Sequence, residues 1–297
     1  MYIFAKLIFL ALIVGYAPAA IAQAEENESL KLSALEALIS APPQRALPIV
    51  AKVLSGDGSP VLKERALFIL SQIDLPEAQD LLVQTARSGE TNLRLEAIRM
   101  IGIGGNTQAL ASLRDIYASG DSNTRNAVLE AYLIADDKDA VYQAALDSND
   151  PDEFENAVQM LGAMGATEEL RKLRDRPGAG EALIDAYAVA GDVETLTALA
   201  TDSSDPERQA QAIRGLGIAG GSDVGSVLSD IYRNTDHDDV RKAALQGLLI
   251  ADDDQAVLAL FRASDDAAER KELLQTLVMM DSEAVWDVID ATLENGQ

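Results

Sequence analysis

The one histidine of the chain, His237, sits in "NTDHDDVRK" beside Asp236, Asp238 and Asp239. An imidazole among carboxylates could ligate a metal ion or move a proton near neutral pH. Acid–base work, however, needs a second group within hydrogen-bond reach and a pocket that holds the substrate. The segment offers no paired base and no apolar shelter, so the expectation is an exposed residue in a helix-capping turn. The acidic clusters "ADDKD" (Ala135 to Asp139), "ADDDQ" (Ala251 to Gln255) and "DSNDPDE" (Asp147 to Glu153) raise calcium as a ligand. None follows the loop in which alternate oxygens converge on one ion and a glutamate closes the site. Asp136, Asp137, Asp252 and Asp253 fall instead where a helix needs an N-cap and where its dipole favours negative charge. There is no cysteine, no nucleophile elbow, no P-loop and no dinucleotide fingerprint. The sequence therefore predicts no catalytic residue, no metal ligand and no cofactor-binding residue.

The densest positive stretch is Arg171, Lys172, Arg174 and Arg176. Such a group could grip an acidic partner or a lipid headgroup; with Glu168 and Asp175 nearby, the plainer expectation is the solvated face of a short helix. Trp286 has core spacing with Val285, Val288 and Ile289, which predicts core or cap packing. The formal charge of −25, from 24 Lys+Arg against 49 Asp+Glu, repels phosphate backbones and excludes nucleic acid as a partner.

The elements that would position any site begin after a leader. "MYIFAKLIFLALIVGYAPAAIAQAEENESL" places Lys6 before an apolar run from Leu7 to Val14, then Gly15, Pro18 and the small-residue triplet Ala20-Ile21-Ala22. This reads as a secretory signal peptide over residues 1–22, cleaved after Ala22 or after Ala24. The run is too short for the roughly 20 apolar residues that span a bilayer, so no stable membrane insertion is expected once it is removed. Residues 23–297 then form one repeat domain, and the compartment expected is the bacterial periplasm.

Across that domain a small residue precedes a large apolar anchor by four positions, again and again. The pairs are Ala34/Leu38, Ala66/Leu70, Ala97/Ile101, Val128/Tyr132, Ala157/Leu161, Leu183/Tyr187, Ala212/Leu216, Ala244/Leu248 and Leu273/Leu277, with anchors about 26 to 32 residues apart. Spacing of this kind marks one face of a helix. The turn signals "GGNT", "GATEE", "AGDVE", "GGSD" and "MMDSEA" follow, and each leads into a second amphipathic stretch. Every unit is thus predicted to be a helical hairpin. A longer echo overlies the short one, because "AVLEAYLIADDKDAV" (Ala127 to Val141) returns as "AALQGLLIADDDQAV" (Ala243 to Val257). The stack was lengthened by copying a block of about four hairpins. The period shortens at "RKLRDRPGAGEAL" (Arg171 to Leu183), which predicts a kink near residues 174–191. Gly102, Gly162, Gly217 and Ala66 are expected to let helices approach closely.

"DPERQAQAIRGLGIAGG" (Asp205 to Gly221) and "DVRKAALQGLL" (Asp239 to Leu249) resemble the short HEAT-like repeats of the phycobilisome-lyase type, with their Asp-Pro turn, arginine, alanine pairs and Leu-Gly ending. Arg125 and Arg241 stand where that family places its arginine, whereas Arg208 sits one residue early. The resemblance implies an all-α, right-handed α-solenoid of about nine HEAT-like hairpins, in which one helix of each hairpin lines the concave side. Among helical-repeat enzymes, deoxyhypusine hydroxylase relies on several His-Glu pairs, which a single histidine cannot supply.

Two residues before each anchor lies a row comprising Glu36, Phe68, Arg99, Glu130, Gln159, Asp185, Arg214, Gln246 and Gln275. Two residues turn a helix by about 200°, so these side chains should point away from the core. Arg99 and Arg214 recur at equivalent places of the duplicated block. The row from Arg99 to Gln275 is the candidate binding surface for a protein or peptide partner in the cell envelope. The function expected is a non-enzymatic protein-binding or scaffolding module. The alternative is an accessory factor for an envelope enzyme or prosthetic-group protein, as the lyase resemblance implies, and a third is an enzyme using carboxylates of the inner face.

Overall fold

The computed structural model describes residues 26–221 and 223–294 of the chain. The signal peptide expected over residues 1–22, and both cleavage positions, lie outside the described residues. Among the described residues every regular element is helical. Residues 26–36 form α1, extended by a 3-10 turn at Ala37–Ser40. There follow α2 (Pro43–Ser55), α3 (Pro60–Ser71), α4 (Pro76–Ser88), α5 (Thr91–Gly104), α6 (Thr107–Ser119), α7 (Ser122–Ile134), α8 (Lys138–Asp147) and α9 (Pro151–Ala163). Next come α10 (Thr167–Lys172), α11 (Gly180–Ala190), α12 (Val193–Ala200), α13 (Pro206–Ala219), α14 (Val224–Asn234), α15 (Asp238–Ile250), α16 (Asp254–Ala263), α17 (Ala267–Met279) and α18 (Glu283–Glu294). Read in pairs they are nine hairpins, with every predicted anchor pair on an odd-numbered helix or, for Leu38, in the turn that ends it.

The chain divides between Asp136 and Asp137 into two compact units. In the first, α5 packs on α3 and α7, while α2, α4 and α6 each lie against the odd helix that follows. In the second, α9, α11, α13 and α15 pack in succession, and α8, α12, α14 and α16 flank the next odd helix. A hairpin of this size cannot bury both of its helices alone, so neighbours must supply the rest of its core. The anchors show it: Ala66, Leu70, Ala97, Val128, Leu161, Leu216, Leu248 and Leu277 are all fully buried. The first pair departs from the rule, since Ala34 is exposed and Leu38 half-buried.

Glycine fixes the closest approaches. A Cβ at Gly102 would lie 2.7 Å from the Ala131 backbone, and one at Gly162 3.1 Å from Ala186. Each glycine costs a helix about 1 kcal/mol, which the closer packing offsets. Ala66, also predicted to sit at such an approach, is fully buried.

The turns refine the expected caps. Asp137 and Asp253 do cap α8 and α16, accepting from Ala140 N at 3.0 Å and Ala256 N at 2.9 Å. Asp136 and Asp252, expected to cap as well, instead take left-handed backbone with φ of 54° and 55°. They occupy the place that Gly105 and Gly191 hold in other hairpins, at φ of 62° and 72°. A residue in that conformation turns the chain at a helix end, and aspartate tolerates it better than most side chains. Helix α10 is short, and residues 173–179 run through turns before α11 starts.

Candidate protein-binding face

In the first unit, Arg99 on α5 and Glu130 on α7 are exposed, each two residues before a buried anchor. Arg99 does not stand free. Its Nη2 donates to Glu96 Oε1 at 2.7 Å and its Nε to Glu96 Oε2 at 3.0 Å. That hydrogen bond, reinforced by the charges of Glu96, Glu64 and Glu130, outweighs the opposing desolvation and raises the guanidinium pKa. Phe68, in the same row, is half-buried and carries the Arg65 guanidinium 4.9 Å from its ring centre, while Arg65 pairs with Glu36 at 2.9 Å.

In the second unit, Gln159, Asp185, Arg214, Gln246 and Gln275 are all exposed, on α9, α11, α13, α15 and α17. Two are held by neighbours: Gln159 Nε2 donates to Glu155 Oε1 at 3.0 Å, and Gln211 Nε2 reaches from α13 to Asp185 Oδ1 at 3.1 Å. Arg214 makes no hydrogen bond or ion pair with a described residue. The two arginines that match in sequence therefore differ in state, one paired within its helix and one with no partner among the described residues.

The basic stretch has a different role from either one expected. Arg171 closes a two-pronged bond on Asp192, with Nε to Oδ2 at 2.8 Å and Nη2 to Oδ1 at 2.6 Å, and also reaches Glu194 at 2.9 Å. Asp192 is buried and caps α12, accepting from Thr195 N at 3.1 Å. Burial by itself would raise its pKa, but the bonds from Arg171 and Thr195 outweigh that and hold the carboxyl below its usual value. Arg176 lies 4.1 Å over the Phe154 ring and donates to the carbonyls of Ala145 and Ser148. Lys172 pairs with Glu169 at 3.5 Å and sits over Tyr142. Arg171 and Arg176 thus staple α10 and the turns after it to adjoining helices, and only Arg174, beside Asp175, is a plain surface charge. The expectation of a purely solvated face is corrected accordingly.

Trp286 is a second correction. It is 57% exposed, while Val285 beside it is buried. Helix α18 turns its valine, not its tryptophan, toward α17. His237 is exposed at the start of α15 and makes no side-chain cap bond. Among the described residues no group of three or more His, Asp or Glu side chains is placed to hold a metal ion. An open groove of about 600 Å³ between α4, α5, α6 and α7 is crossed by Arg87–Asp115 at 3.5 Å and Arg94–Asp121 at 3.8 Å, so its charges are already paired.

One feature of the face was missed in the sequence. Two residues after six of the nine anchors, the odd helices expose a large apolar side chain: Ile103 and Ile134 in the first unit, Val189, Ile218, Ile250 and Met279 in the second. The signal was available, since reading down the repeats at that offset from Ile103 onward returns an apolar residue at every anchor, Ala163 being the one small one.

These features define a class, all-α repeat proteins whose hairpins stack through local contacts and leave one helix face open. HEAT repeats match residues 47–133 and 139–249, about two thirds of the chain. The chain belongs to the HEAT repeat family. The curated proteins give no match. Among solved structures, the chain is similar to the complex of CpcE and CpcF of phycocyanin lyase from a Nostoc species, at 19% identity, 81% coverage of this chain, 95% of that one and a TM-score of 0.35. It is also similar to human deoxyhypusine hydroxylase in complex with glycerol, at 16% identity, 76% and 98% coverage and a TM-score of 0.34. No described helix is long and apolar enough to cross a membrane.

Proposed function

We propose that this protein is a non-enzymatic binding or scaffolding module of the bacterial periplasm, holding a protein or peptide of the cell envelope on the exposed face of its odd-numbered helices. The observation that carries the reading is the row itself. From Arg99 to Gln275 every second residue before an anchor is exposed, although the anchors are buried, so the core is complete without these side chains. An Arg214 without an ion pair among the described residues, in a chain of charge −25, suits recognition by register and steering more than by raw affinity. Export rests on the N-terminal sequence, with its single lysine, short apolar run and small-residue cleavage site.

The test is capture from envelope extract by the immobilised protein and by an Arg99→Glu, Arg214→Glu double variant. The variant should lose its partner while helicity and melting temperature stay nearly unchanged, because exposed ion pairs such as Arg99–Glu96 contribute only about 0.2–1 kcal/mol. Equal capture by both proteins would place the site elsewhere.

A further inference from the structure

The apolar side chains at the second offset form a row of their own. In the second unit Val189, Ile218, Ile250 and Met279 are 63%, 59%, 49% and 65% exposed, and Ala163 holds the same place, exposed, on α9. Single exposed hydrophobic residues are ordinary. This set is not scattered. Across the even-numbered helices from α4 to α16, Leu146 is the only large apolar side chain so open among the described residues. From α5 to α17 the exposed large apolar side chains thus recur in register on the odd helices, with Val278 beside Met279 the one addition to the row there.

Positions six before, two before and two after an anchor are four residues apart, and together they cover a stripe about 80° wide over two turns. In the second unit the last level is apolar; the first two are polar except for the buried Ala210 on α13, and their charges are sorted by sign. Glu155, Glu181 and Asp185 lie on α9 and α11; Arg214, Lys242 and Lys271 lie on α13, α15 and α17, and all six are exposed. None of the three cations pairs with a described residue.

Spacing decides what shape of occupant fits. Packed helices lie about 8–10 Å apart, and the close backbone approaches of Gly162 to Ala186 and Gly217 to Gly247 keep this stack within that range. A polyproline II chain has three residues per turn and advances about 3.1 Å per residue, so three residues cover about 9.3 Å, carry it from one helix to the next and return a side chain to the same side. A helical occupant returns an apolar residue to the same side only every seven residues, about 10.5 Å, and overshoots.

We propose that this face of the second unit binds an extended segment of a partner polypeptide. The segment carries an apolar side chain at every third position to meet Val189, Ile218 and Ile250. It is basic where it crosses α9 and α11, and acidic where it crosses α13 to α17. The proposal rests on the binding-module reading above and specifies its ligand.

The experiment titrates the protein into a fluorescein-labelled 15-residue synthetic peptide with leucine at every third position, lysines filling one half and glutamates the other, read by anisotropy. Binding should weaken at least tenfold with Ile218→Asp and with Val189→Asp. It should weaken as much for a peptide of the same composition whose leucines are grouped together. Circular dichroism checks that each variant keeps its helicity, and Ile218→Gln substitutes if Asp disturbs it. Equal binding of the two peptides, or unchanged affinity in a folded Ile218 variant, overturns the proposal. So does a dimer in sedimentation that Ile218→Asp splits while no peptide binds, because a second copy then covers the face. If the peptide fails while the Arg99→Glu, Arg214→Glu variant still loses its envelope partner, the binding-module reading stands and only the extended-segment ligand falls.

Discussion

Gly217 on α13 faces Gly247 on α15 so closely that a Cβ added to Gly217 would lie 2.6 Å from the Gly247 carbonyl oxygen and 2.9 Å from its Cα. The obstacle is backbone, which cannot swing aside as a flexible side chain can. Both residues are buried in the interface between successive odd helices, where the contact sets the spacing on which the exposed rows depend.

Gly217→Ala should therefore destabilise the chain even though alanine is the better helix former. Alanine gains about 1 kcal/mol in helix propensity, whereas overpacking a close interface costs about 1–3 kcal/mol. The expected outcome is a net loss, seen as a lower midpoint in urea. Gly105→Ala tests a different constraint, because nothing lies within 4 Å of the added carbon and the cost comes only from its φ of 62°.

Asp192→Asn should destabilise by about 1–3 kcal/mol at neutral pH, since it removes the charged partner from a buried two-pronged bond and leaves Arg171 only the exposed carboxylate of Glu194. The pH dependence has a definite sign. The Asp192 carboxyl is held below its usual value in the folded chain. Its contribution is then fully present above the unfolded pKa of about 3.9 and is lost as pH falls through the lower folded value. Urea melts of parent and variant should differ at pH 7 and converge in that acid range. A constant difference down to pH 2 would mean that the pair acts by packing alone.

Contacts between hairpins are local, so stability should vary along the chain. The short α10 and the turns to Gly180 make the stretch from Arg174 to Gly191 the expected weak point, with a dip in amide-exchange protection there. The division between Asp136 and Asp137 offers a second place for one. Hydrogen exchange read by mass spectrometry checks both, and uniform protection from Ser59 to Asp281 would remove the weak point at Pro177.

The sequence alone determined what depends on neighbours three or four residues away. The hairpin period, the anchors from Leu70 to Leu277, the caps at Asp137 and Asp253 and the close approaches at Gly102, Gly162 and Gly217 were all legible, because helix periodicity and turn chemistry are local. Even the polar row was legible, as the side opposite an anchor. What the tertiary structure decided is which outward faces the next hairpin covers. Arg171 finds Asp192 twenty-one residues on, and Arg176 closes over Phe154, although composition suggested a solvated basic face. Trp286 has core spacing yet stays exposed, because α18 has no following hairpin among the described residues to cover it. Ile218 and Val189 repeat at one offset from their anchors in the sequence, but it is the packing of α11, α13 and α15 that leaves them open. Periodicity fixes an angle around one helix axis; burial depends on what stands at that angle, and that belongs to the stack.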